Sequence, residues 1–265
     1  MVKGHSKTPI EFLYLEAGAI PIRYIISSRR LIYHQCILKR NDQELTKRIY
    51  SEQKRNPTKG DFTELIREDF KFIDETQNDM AIQMTNPLAY KKMIKKRIKV
   101  AAFNFLKSRQ SKHSKVKDIK YSSLEIQKYM TCPTFSNEEV NMLHGLRSRS
   151  TECKANYKQK YIHTNILCSL CEEEDEDQQH LLKCKVLLNK LRTTEVTEGG
   201  LEYEDIFSKN VKKQKVITAL YITLFKIRKD LLENQHSQRA LSTTNTELRM
   251  SSDLHLCIDR LFSGK

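Results

Sequence analysis

Apolar residues along this chain recur at intervals of three and four rather than two, the period of a helix that buries one face. Pro21 suits a first helical turn, where its missing N–H costs nothing, and Ile22, Ile25, Ile26, Arg29, Ile32, Tyr33 and Ile37 follow at helical spacing. Asp42 opens a charged helix that stops before the turn signal Asn56–Pro57. Asp61 is placed to cap a third helix, with Phe62, Leu65, Ile66, Asp69, Phe72 and Ile73 along one side.

The clearest helix starts at Asn86–Pro87, with Asn as N-cap and Pro at the first helical position. Its apolar stripe reads Tyr90, Ile94, Ile98, Ala101, Ala102 and Phe105, and lysines largely occupy the other side. Ser136 and Glu139 form a capping box ahead of a short helix through Leu143 to Leu146. Beyond a boundary at Gly199–Gly200, Val216, Ile217, Leu220, Leu224, Ile227 and Leu231 predict a strongly amphipathic helix. Residues 237–252, rich in Ser and Thr, read as a loose linker before a last short helix from Leu254 to Leu261. No internal repeat is present, and no period-two run is long enough to demand a sheet.

The expected fold is all-α: an irregular helical bundle carrying a small CCHC zinc knuckle. It divides into an N-terminal helical region (1–85), a basic helical linker region (86–150), a knuckle region (151–200) and C-terminal helices (201–265). Composition agrees, since only 7 Gly and 5 Pro interrupt 265 residues of which 38% are hydrophobic and 30% charged.

Charge narrows the partner. The chain carries a net +14, and residues 91–120 alone hold twelve Lys or Arg against one acid, Asp118. That concentration, +11 within thirty residues, suits phosphate contacts that attract without reading sequence. The candidate contacts are Lys91, Lys92, Lys95, Lys96 and Lys99 on the helix, and Arg109, Lys112 and Lys115 in the flexible Ser/Lys/His tract expected over Lys107 to Lys117. Smaller basic sites are Arg29 with Arg30, and Arg147 with Arg149, the latter followed by lysines interleaved with Tyr157 and Tyr161 that could stack on bases. The alternative for such a run is a solvated helix face. RNA or DNA is the expected partner. A membrane is not, because no stretch approaches 18 consecutive apolar residues.

Seven cysteines make an odd count, and three of them are better explained by a metal than by disulfides, which implies an intracellular protein, nuclear or cytoplasmic. The N-terminus, without an apolar core segment, does not look like a signal peptide. Cys168, Cys171, His180 and Cys184 have the spacing C-x2-C-x8-H-x3-C, two thiols on a tight turn and a His–Cys pair one helical turn apart. Four protein ligands close the site, so Zn²⁺ would be structural there. Between the pairs run six consecutive acids, Glu172 to Asp177, which would repel phosphate. They read either as a clamp against neighbouring helices or another basic surface, or as a solvated loop.

Signatures of catalysis are missing. No Asp-Asp dipeptide supplies the paired carboxylates of a polymerase, no phosphate-binding glycine loop occurs, and no proline is followed by Asp. His34, Cys36, His113 and His144 have no triad-like neighbours in sequence. An enzyme is not expected.

Three stretches, in this order, carry a family resemblance: Leu15 to Leu31 (LEAGAIPIRYIISSRRL) with Ile37–Leu38 after it; Val100 to Leu106 followed by Lys112 to Val116; and Leu146 to Ser150 leading through Lys154 to Tyr161 into the cysteines. Together they resemble the part of non-LTR (LINE-type) retrotransposon reverse transcriptases that lies downstream of the polymerase palm. The resemblance implies thumb-like and linker helices with a zinc knuckle that engages template RNA and target DNA, Cys168, Cys171, His180 and Cys184 being the zinc ligands. Fingers, palm and active-site aspartates are absent. The chain would therefore be an accessory segment of such an enzyme, working with the rest of it. The alternatives are a decayed retroelement fragment, or a helical interaction module that docks a partner on the 211–235 face.

Overall fold

The computed structural model of the protein describes residues 8–161, 165–192 and 202–262, and its chain divides into two compact units, Lys3–Thr134 and Phe135–Lys265. The division falls inside the basic region expected over 86–150, and the knuckle and C-terminal helices share the second unit. The described residues form α-helices and short 3-10 segments, with two isolated β-bridges and no strand among them. Gly199 and Gly200 lie outside the described residues.

The first unit runs α1 (Ile10–Ala17), α2 (Ile22–Leu38), α3 (Leu45–Arg55), α4 (Phe62–Phe72), α5 (Asp79–Met84), α6 (Pro87–Gln110) and the single turn α7 (Lys128–Thr131). The helix starts follow local chemistry. Asp61 accepts from Glu64 N, Asn78 from Ala81 N, and Asn86 from Leu88 N and Ala89 N ahead of Pro87. Helix α6 lies against α1 and α2, and α4 closes over α2. Phe12, Leu15, Leu31, Ile66, Ile94, Ile98 and Leu106, none more than 1% exposed, make the core.

Two stripes differ from the sequence expectation. On α2 most of the expected apolar stripe faces outward: Ile22, Ile26 and Tyr33 are 64, 46 and 46% exposed, Ile25 and Ile32 are half-buried, and only Ile37 at its end reaches the core. The buried side carries Tyr24, Leu31 and Leu38, seven apart, with Ile37 and the polar Ser27, Ser28, His34 and Gln35. Periodicity finds a stripe without saying which side meets the core, and here a polar side does. Gln35 is satisfied there, donating to the carbonyls of Ile82 and Thr85 at 3.0 Å each. On α6 the buried positions step by four, from Tyr90 through Ile94, Ile98, Ala102 and Leu106 to Gln110. Leu106 therefore takes the core place expected of Phe105, whose half-buried ring instead lies 3.7 Å beneath the Arg23 guanidinium.

Buried carboxylates tie the elements together. Asp69, fully buried, accepts two 2.7 Å hydrogen bonds from Arg30. Glu16 accepts from the hydroxyls of Tyr121 and Tyr129, which ties the chain after α6 back onto α1. The tract expected to be loose after Lys107 is likewise folded, because Gln110 donates to the carbonyls of Val116 and Ile119. At the end of α1, Gly18 adopts φ 61°, and a Cβ there would lie 2.2 Å from Ile126 N.

His34 is fully buried among Tyr50, Phe62 and Phe70. Its Nε2 lies 2.8 Å from Tyr50 OH, which donates to Asp79, and Asp79 is also paired with Lys54. Its Nδ1 has no partner. Burial pushes the imidazole pKa down to about 4, and Lys54 and Lys47 push the same way against the attraction of Asp79.

The second unit contains α8 (Asn137–Arg147), α9 (Gln178–Leu181), α10 (Lys185–Arg192), the 3-10 segments Lys154–Tyr161 and Tyr203–Phe207, and α11 (Val211–Phe262). The capping box expected at Ser136 and Glu139 is formed. Helix α11 packs on α8, α10 and the Tyr203–Phe207 turn, burying Gln214, Ile217, Thr218, Tyr221 and Leu224. Val216, assigned to that face by spacing, is 49% exposed. The backbone of 237–252, expected as a linker, continues α11 through the expected last helix. No Gly or Pro occurs between 201 and 263, and Ser, Thr and Asn each cost a helix only about 0.5 kcal/mol. No helix of the described residues is long and apolar enough to cross a membrane.

Gly18→Ala adds left-handed strain to a backbone clash, so it should destabilise the first unit by about 2 kcal/mol or more. An unchanged urea midpoint by circular dichroism would contradict this. The His34 folded pKa, about 4, lies below its ordinary 6.5, so the unfolded chain takes up the proton first. The stability due to neutral His34 is complete above pH 6.5 and declines as pH falls toward 4. Between pH 7 and 5 the loss should reach roughly 1–2 kcal/mol and be absent in His34→Gln, measured by urea titrations at both pH values.

Candidate metal centre

The six acids from Glu172 to Asp177 turn the chain back on itself. Cys168 N donates to Glu174 O (2.7 Å) and Glu176 N to Ile166 O (2.9 Å), with the turn made at Glu172 in the left-handed region, φ 58°. This places Cys168 and Cys171 on one tight loop. Asp177 then caps α9, accepting from His180 N at 2.7 Å, and so aims the imidazole at the thiols. Cys184 falls between α9 and α10 rather than inside one helix, but its N–H still bonds His180 O at 2.7 Å. The one-turn spacing of His180 and Cys184 is thereby kept.

The three Sγ atoms and a ring nitrogen of His180 all lie within 4.8 Å of one another, and Cys171 Sγ is 3.3 Å from His180 Nε2. A tetrahedral ion at ordinary Zn–S and Zn–N lengths needs ligand separations of about 3.6–3.8 Å, so this donor set fits one metal ion. Cys168, Cys184 and His180 are buried and Cys171 is half-buried. Burial pushes the Cys168 thiol up to about 11 and raises Cys184 as well. At Cys171 burial is outweighed by N–H groups of Glu173 and Glu174 and by the neighbouring thiols, and its pKa is lowered.

Around these four stands a shell that spacing alone did not reveal. Glu174 Oε2 lies 3.0 Å from His180 Nδ1, which fixes the ring and leaves Nε2 toward the thiols. Glu176, fully buried, receives Arg228 of α11 at 2.5 Å and also accepts from the N–H groups of Lys154 and Ser169. Glu173 pairs with Lys185 at 3.1 Å. The acidic run thus clamps the ligand loop to α9, α10 and α11. Asp177 directly before a helical residue was the one readable sign of this. Cys153 is buried nearby, its thiol pushed up to about 12 by burial, and is not in the ligand group.

The basic residues divide by exposure. Arg29, Lys91, Lys92, Lys95, Lys96 and Lys112 are exposed, while Lys99 and Lys115 are half-buried. Arg109, also exposed, lies 3.4 Å from Glu11. Two expected contacts are corrected. Arg30 is committed to Asp69, and Arg147, 4% exposed, donates to Ile206 O at 3.0 Å with its guanidinium over Phe207. Arg149 is half-buried and hydrogen-bonds Tyr203. Tyr157, named for stacking, donates to Ser150 O at 2.9 Å, and the Tyr161 side chain lies outside the described residues.

Comparison with family models, with curated proteins and with solved structures finds no match to this chain.

One divalent ion should bind per chain, and Glu174→Gln should lower its affinity about 10–100-fold by releasing the His180 ring. Glu173→Gln, which removes an exposed pairing with Lys185, should change it little. Competition with a chromophoric chelator measures both, and equal affinities for the two variants would contradict the role given to Glu174.

Proposed function

We propose that the chain is a zinc-containing, nucleic-acid-binding accessory segment of a non-LTR retrotransposon reverse transcriptase, without a polymerase centre of its own. The observation that carries the binding is the outer side of α6. Lys92 and Lys96 stand exposed there, while Tyr90, Ile94 and Ile98 of the same turns are held in the core. A rigid helix with cations on its free side offers phosphates a fixed row of charges at no cost to packing.

Zinc is the metal this reading assigns. Three thiolates and one imidazole are soft and borderline donors, and a full set of four protein ligands leaves no open position for chemistry. The centre's work is to hold the loop, α9, α10 and α11 together, its binding energy serving as local folding energy. The retroelement assignment rests on the order of the three sequence stretches. Within the first, Gly18 and Arg30 are residues with a stringent structural task, a close backbone approach and a buried ion pair. The rival reading, in which the 211–235 helix docks a partner, lacks a free apolar face, because Ile217, Tyr221 and Leu224 are buried within their own unit.

Binding to RNA or DNA should be largely independent of sequence and fall steeply with salt. Lys92→Gln, Lys96→Gln and Lys112→Gln together should lower the log–log salt slope by about 2–3 and leave helicity unchanged. Fluorescence anisotropy with single-stranded and duplex RNA and DNA at two or more salt concentrations reads this directly. Wild-type slopes in the triple variant would end the proposal. Template-dependent nucleotide incorporation by the purified chain should be absent.

A further inference from the structure

The outward stripe of α2 and the neighbouring turns of α6 form an open groove of about 730 Å³. Its floor is apolar: Ile25, Ile32 and Tyr33 from α2 meet Ile98 from α6. Its rim is cationic, with Arg29 on one side and Lys91, Lys95 and Lys99 on the other, and no carboxylate lines it. The three lysines are four residues apart, so their charges repeat about every 6 Å along the groove.

We infer that this groove docks an acidic amphipathic segment of a partner protein. This goes beyond the nucleic-acid role proposed above and uses a different side of α6. Charge complementarity sets the occupant: apolar side chains at helical spacing to fill the floor, and Asp or Glu one turn apart to meet the lysine row. A nucleic-acid strand fits less well. Bases need ring faces to stack on, and the floor is mainly aliphatic, with Tyr33 its single ring. A second copy of this chain fits less well too, since within its acidic run Glu174, Glu176 and Asp177 are already engaged by His180, Arg228 and the α9 N-terminus. Helix α2, at 17 residues about 25 Å long, matches a partner helix of about sixteen residues.

The test is selection of a displayed library of random 16-residue peptides on the full-length chain. Enriched peptides should be net acidic, with apolar residues at helical spacing. They should bind Ile25→Asp/Tyr33→Asp at least about tenfold more weakly, and Lys91→Gln/Lys95→Gln several-fold more weakly. Circular dichroism checks that both variants stay folded, and the lysine pair, being exposed, keeps the test valid if the apolar pair does not. Neutral or basic winners, or winners that bind every folded variant like wild type, would overturn the inference. Two further results would also overturn it: about tenfold loss of oligonucleotide binding in Ile25→Asp/Tyr33→Asp, marking a nucleic-acid cleft, or a wild-type dimer in sedimentation that this variant abolishes. The nucleic-acid proposal is tested separately, since Lys92, Lys96 and Lys112 do not line the groove.

Discussion

A carboxylate cut off from water must be answered by cations or by hydrogen-bond donors, and three such groups among the described residues, Glu16, Asp69 and Glu176, are at most 1% exposed. Each is answered by residues distant in sequence: Tyr121 and Tyr129, Arg30, and Arg228. With 38% hydrophobic residues divided between two units, neither core is large. Cross-element polar bonds therefore carry much of the specification that apolar packing supplies elsewhere. Losing the donors strands a buried carboxylate, so these contacts fix the arrangement more firmly than a surface ion pair could.

In the second unit this constraint joins the metal centre to the longest helix. Glu176 takes Ser169 N, which lies between two thiol ligands, and Arg228, which belongs to α11. One side chain thus joins the loop of the candidate ligands to α11. The same logic explains an acidic loop inside a chain of net +14: its charge is spent internally rather than offered to a ligand. Basic charge is spent differently in the two units. Arg147 and Arg149 support the second fold, while the lysines of α6 stand outside the first.

What was legible in the sequence was local. Caps at Asp61, Asn86 and Ser136 satisfy N–H groups two or three residues away, so a short window suffices to find them. The four donors that could hold a metal ion span 17 residues, and their spacing already implies that they cluster. What was not legible needed the tertiary partner. Nothing near Glu176 announces Arg228, and nothing near Asp69 announces Arg30. Nor does the period of α2 reveal that Ile22 and Ile26 face out. The continuity of α11 was hidden for another reason: Ser and Thr are weak helix formers rather than breakers, and weak periodicity there was read as an ending.

The outward side of α2 bears on how the lysines of α6 divide. Successive lysines on a helix are about 100° apart, so Lys91, Lys95 and Lys99 lean toward α2 while Lys92 and Lys96 point away from it. The first row borders an apolar floor, and desolvation by an apolar partner would strengthen its attraction for carboxylates. The second row meets open water, where a single pair is weak and only a polyanion, by releasing many counterions, gains from several lysines together. One stretch of like charge is thus divided by its neighbour into a side suited to a protein and a side suited to a phosphate backbone.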